Sequence, residues 1–124
     1  MQCVSMPVQS YRDLVAWQKS FQLVLAVYRG TQVFPKTETY GLVTQLRRAA
    51  VSIPSNIAEG HARTTTGEFK HFLGIAMGSL AEVETQILLC QSLGYVAAED
   101  SESLLESGAE VGKIIHGLLR ALKN

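Results

Sequence analysis

Only two cysteines, three prolines and one tryptophan occur in the 124 residues, and charged side chains make up just 18% of them. Two thiols, Cys3 near the start and Cys90 inside an apolar helical pattern, cannot build a disulfide framework and suit a reducing compartment; Cys90 is expected in the core. Met1 to Ser10 has neither the basic start nor the apolar centre of a signal peptide. The longest apolar run, Leu23 to Tyr28, falls far short of the roughly 20 residues that cross a bilayer. A cytoplasmic protein with no membrane partner is expected. No alternating strand pattern, internal repeat or low-complexity stretch is present.

What is there is apolar and helical. Hydrophobic residues reach 47%, which excludes a disordered chain, and the length fits one domain, residues 11–124, behind a flexible tail of residues 1–10. Net charge is zero but unevenly spread. Residues 1–75 hold eight cations against four acids, a net +4, and residues 76–124 hold three against seven, a net −4. Such polarity can present a basic face to nucleic acid, or it can hold two halves of a fold together.

Four helices follow from periodicity. Leu14, Trp17, Phe21, Val24 and Tyr28 step by 3, 4, 3 and 4 and predict the buried face of a first helix over Arg12 to Gln32, ended by Pro35. Leu42, Leu46, Ala49, Ala50, Ile53 and Ile57 predict a second over Thr39 to Glu59, stopped by Gly60 and kinked at Pro54. Phe69, Leu73, Ala76, Leu80, Val83, Ile87 and Cys90 form the heptad seam of a third. Thr65 with Glu68 predicts its capping box, and Gly94 its left-handed stop. Leu104, Gly108, Val111, Ile115, Leu118 and Leu122 mark a fourth, with Glu99, Asp100 and Glu102 at its positive end. Short connections make this an all-α, up-down antiparallel four-helix bundle.

Two features point beyond one chain. Leu23 to Val27 is apolar at five successive positions, and a helix apolar all round must be covered all round; a homo-oligomer is the expected cover, a tightly wrapped loop the alternative. Gly74 and Gly78, one turn apart, are expected to serve close packing within the chain. On the second helix Arg48, Ser52, Ser55 and Glu59 share a stripe opposite the apolar face, flanked by Gln45, Asn56 and Arg63. The plain reading of this stripe is a solvated face; short hydrogen-bonding side chains suit close contact instead, which places Arg48, Ser52, Ser55, Asn56 and Glu59 at an assembly interface or facing a ligand.

The run Phe34-Pro35, Glu38, Tyr40-Gly41-Leu42, Gln45, Arg47-Arg48-Ala49, Ser52 to Gly60 and Arg63 is specific. With Leu14, Val15 and Trp17 upstream and Phe69, Phe72-Leu73, Ala76, Gly78 to Leu80, Glu82, Glu84 to Gln86 and Leu93 to Tyr95 downstream, it resembles one family over roughly residues 11–123. These are the four-helix-bundle proteins encoded in intervening sequences of bacterial large-subunit ribosomal RNA genes. Their relatives, the accessory proteins of diversity-generating retroelements, form barrel-shaped homopentamers that bind nucleic acid and a reverse transcriptase. The resemblance therefore implies an up-down bundle assembling into a barrel-shaped homopentamer, with RNA or DNA as a partner.

Catalysis finds no foothold. No phosphate loop, nucleophile elbow or metalloprotease helix occurs, and His61, His71 and His116 are too far apart for a helical ligand pair, so no metal or other cofactor is expected. Glu82 and Glu84, two apart, point to different helix faces and form no local acid and base pair. Two non-enzymatic readings remain. In one, Arg47, Arg48, Arg63 and Lys70, with His71 at the margin, engage RNA or DNA phosphates. In the other, a scaffold that binds a protein partner, the same arginines pair with Glu59, Glu82 or Glu84 across subunits.

Overall fold

The computed structural model describes residues 10–38 and 41–122; the expected tail at residues 1–9 and the expected helix start at Thr39 lie outside them. Four helices carry the fold: α1 (Val15–Thr31), α2 (Leu42–His61), α3 (Thr66–Ser92) and α4 (Ala98–Ala121). Short 3-10 turns precede α1 at Tyr11–Asp13 and α2 at Lys36–Glu38, and no strand occurs among the described residues.

Cross-helix contacts set the direction of each element. Arg47 near the start of α2 reaches Thr31 at the end of α1, while Phe21 and Pro54 line one groove further along. Ser52 meets Ser79 and Gln45 meets Gln86, Leu80 packs on Gly112 and Gln91 on Ser101, and Lys19 pairs with Glu110 while Leu104 approaches Gly30. Every sequence neighbour, and the α1/α4 pair, therefore runs antiparallel around a closed square. Leu23, Leu46, Ile53, Ile57, Leu73, Ile87 and Ile115 fill its centre, each at most 2% exposed. Burying a side chain of that size stabilises by about 1.5–3 kcal/mol. Phe34, Val43 and Cys90, with Tyr95 against them, close one end.

α3 follows its heptad: Leu73, Ala76, Leu80, Val83, Ile87 and Cys90 are all buried, with Phe69 partly so. Thr65 Oγ1 accepts from the Glu68 amide at 3.1 Å. At the other end Gly94 takes φ +79, and the Tyr95 and Gly94 amides donate to the Cys90 and Gln91 carbonyls at 2.9 and 3.0 Å, a Schellman stop. By length and composition α3 is also apolar enough to cross a membrane, its mean hydropathy reaching 1.3; 33% of that stretch is buried in the bundle, and Ile75, Leu88 and Leu89 add apolar side chains that stay exposed.

Three expectations need correction. The first helix does not start at Arg12: Ser10 and Asp13 cap a 3-10 turn, and Leu14 is extended (ψ 128) before α1 begins. Nor is the face of Leu14, Trp17, Phe21, Val24 and Tyr28 the fully buried one: Leu14, Trp17 and Val24 are half-buried against the edge of the core. The buried stripe is Ala16, Ser20, Leu23, Val27 and Thr31, while Phe21 and Tyr28 stay 43% and 40% exposed. Both stripes keep helical spacing, and the buried one joins Ala16, Leu23 and Val27 to the core cluster that also holds Ala49, Ala50 and Ile53. Ser20 and Thr31 satisfy their hydroxyls on the Trp17 and Val27 carbonyls at 3.0 and 2.9 Å.

The glycines are the third correction. Gly60 does not stop α2, which runs unbroken through Pro54 to His61. It is instead a buried contact point: a Cβ there would lie 2.7 Å from Phe72 Cβ and 3.2 Å from the Phe69 carbonyl oxygen. Gly74 and Gly78 are exposed, and a Cβ on either would meet nothing within 4 Å, so packing inside the chain does not require them.

Candidate interaction surface on α1 and α2

The residues that α1 leaves outside the core meet α2 in a groove of about 350 Å³. Trp17, Phe21 and Val24 form one wall, Val51, Pro54 and Ala58 the other, and Tyr11 stands over one end with its ring 5.4 Å from that of Trp17. Trp17 and Phe21 stack at 5.0 Å between centroids. Periodicity missed this site because it placed the aromatics inside. The signal that did point to it is the all-round apolar segment Leu23 to Val27, of which Val24 and Leu25 line the groove.

Of the stripe on α2, Ser55 lines the groove, and Arg48 borders a second recess of about 400 Å³ with Tyr28, Thr44 and Arg47. Val51 lines both, so the two recesses adjoin. Ser52 and Asn56 turn the other way: the Ser52 and Ser79 hydroxyls lie 2.8 Å apart, and Asn56 Nδ2 donates to the Ser52 carbonyl and hydroxyl at 2.8 and 2.9 Å. Gln86 Nε2 donates to Gln45 Oε1 at 3.4 Å along the same seam. Glu59 pairs with Arg63 at 2.7 Å, a contact within one chain.

The basic residues do not gather into one patch. Arg47 Nε donates to Thr31 Oγ1 at 2.9 Å and Nη2 to the Tyr28 carbonyl at 3.3 Å, with the guanidinium 4.5 Å from the Tyr28 ring centroid. Its charge thus sits at the negative end of α1. Arg63, in the α2–α3 turn, pairs with Glu59 and also with Glu68 at 3.9 Å, and lies over the Phe72 ring. Arg48 is exposed and Lys70 half-buried, and neither has a hydrogen-bond or ion-pair partner among the described residues. Arg47 and Arg48 stand about 20 Å, at 1.5 Å per residue, from the His61 end of α2, beyond which Arg63 lies. Among the described residues no three His, Cys, Asp or Glu side chains gather where a metal could sit.

A family model described as 23S rRNA-intervening sequence protein matches residues 12–117. Among solved structures, the chain is similar to a protein with unknown function from the S23 ribosomal protein family of Bacteroides thetaiotaomicron. The two superpose with a TM-score of 0.80 at 21% identity, over 86% of this chain and 96% of that one. At that identity the likeness is one of fold. No curated protein matches the chain.

Proposed function

The chain belongs to the family of 23S rRNA-intervening sequence proteins, and from that premise we propose that it works without catalysis, as a self-associating helical scaffold whose α1–α2 groove is covered by another copy. The observation that carries this reading is the groove itself. Phe21 and Val51 are 43% and 40% exposed beside Trp17 and Pro54, and a contiguous aromatic surface of this kind left to water marks an interaction site. A barrel-shaped homopentamer is the assembly the resemblance implies. Ser55 and Arg48 border the covered face, whereas Ser52, Asn56 and Glu59 serve the subunit's own α2–α3 packing and the Arg63 pair. A cytoplasmic location belongs to the same reading.

Trp17 is the sole tryptophan, so its emission reports on the groove directly. Dilution of the protein should shift that emission to the red as the groove meets water, and Phe21→Glu should show the red-shifted emission at every concentration. Emission independent of both would count against the groove as the contact.

A second reading, contact with RNA or DNA phosphates, is supported by Arg48, exposed and unpaired beside the Tyr28 recess, and by Lys70. It is weakened by Arg47 and Arg63, whose guanidinium groups are already engaged. Anisotropy of labelled RNA and DNA at low and physiological salt decides it, because each phosphate contact makes log affinity fall with log salt. No binding at low salt would leave the scaffold alone.

A further inference from the structure

α4 carries its charge in two blocks. On its outer face residues 99, 102, 106, 109, 113, 116 and 120 step by 3, 4, 3, 4, 3 and 4, and all are exposed. Glu99, Glu102 and Glu106 come before Ala109; Lys113, His116 and Arg120 come after it. The helix dipole favours acids at the start and bases at the end, but only within the first and last turns. It accounts for Glu99 and Arg120 and not for Glu106 or Lys113 in the middle. Within one chain the pattern is unfavourable, since Glu102 and Glu106 are like charges at i, i+4. None of these six ionisable side chains has an ion-pair partner among the described residues. Glu110, which does, turns aside to Lys19 of α1 at 3.5 Å.

About Ala109 the stripe is antisymmetric in charge at Glu106 and Lys113 and at Glu99 and Arg120, with the His116 imidazole standing opposite Glu102. Glu106 and Lys113, Glu102 and His116, and Glu99 and Arg120 stand at nearly equal spacings on either side. We propose that a second copy of this chain packs its α4 antiparallel against this face, with a twofold axis beside Ala109. Each acid then meets the opposite base, and every pair occurs twice, as an isologous contact requires. Ala109, the one uncharged small residue in the stripe, lets the two backbones approach at the axis. A groove of about 610 Å³ toward α3 and a shallow recess of about 560 Å³ lined by α4 alone flank the ridge, with Ala109 and Lys113 lining both, so the partner's ridge has recesses to enter. Because α4 touches α1 and α3 and not α2, this contact is separate from the α1–α2 groove and does not rest on the scaffold reading.

The test uses the full chain with Cys3→Ser and Ala109→Cys, leaving Cys90 buried at 1% exposure, and a short bismaleimide as the probe. A covalent dimer should form at micromolar protein, less of it at high salt where exposed pairs are screened. Lys113→Glu should slow cross-linking by about tenfold, two exposed pairs turning repulsive at once. Adding Glu106→Lys to it should restore the rate, since the swap returns each acid to a base. Phe21→Glu should leave cross-linking intact, which separates this contact from failure of the groove. Absence of the dimer, indifference to Lys113→Glu, or a swap no better than the single reversal would overturn the proposal.

Discussion

Arg47 on α2 donates from Nε to Thr31 Oγ1 of α1 at 2.9 Å, and the Thr31 hydroxyl in turn donates to the Val27 carbonyl at the same distance. The end of α1 is thus closed by a residue 16 positions further along. Arg47→Ala should lower stability by about 1–2 kcal/mol, from a lost charge-assisted hydrogen bond and the lost cation at the helix end. Urea unfolding followed by circular dichroism reads it, and an unchanged midpoint would mean that the guanidinium is free for other work.

The glycines of α2 and α3 should respond with opposite signs. Gly60→Ala forces a Cβ to 2.7 Å from Phe72 and should destabilise by about 1–3 kcal/mol. Gly74→Ala and Gly78→Ala place theirs in open space and should each stabilise by about 0.5–1 kcal/mol. Thermal melts of the three variants check the contrast.

Ser52 and Ser79 should prove coupled. A double-mutant cycle to alanine is expected to return an interaction of about 0.5–1.5 kcal/mol for the 2.8 Å hydroxyl pair. A value near zero would mean that Asn56, which also donates to Ser52 Oγ, replaces it.

Gln86 is 6% exposed; among the described residues its Oε1 has no partner and its Nε2 makes only contacts of 3.4 Å. A buried acceptor left unmade costs about 1–3 kcal/mol. Gln86→Met, similar in volume, should therefore match or exceed the parent in stability, whereas an ordinary hydrogen-bonded glutamine would lose on the same exchange.

How far the sequence can be read differs from helix to helix. The stripe of α3, with Thr65 and Gly94 at its ends, was legible because each residue obeys a local rule. α1 was not, since its segment Leu23 to Val27 is apolar on every side and offers two stripes of equal spacing, and only the packing of the whole bundle chooses Ala16 and Ser20 over Trp17 and Phe21. For the candidate site, the run Leu23 to Val27 pointed to an uncovered face. The engagement of Arg47 with Thr31 and of Ser52 with Ser79 depends on contacts across the bundle that no local pattern encodes.

The central claim, that copies of this chain cover the α1–α2 groove, is tested most directly by light scattering on the parent and on Phe21→Glu at equal concentration. The account predicts an oligomer for the parent and, for the variant, a smaller mass with unchanged helical circular dichroism. A monomeric parent, or a variant of undiminished mass, would contradict it.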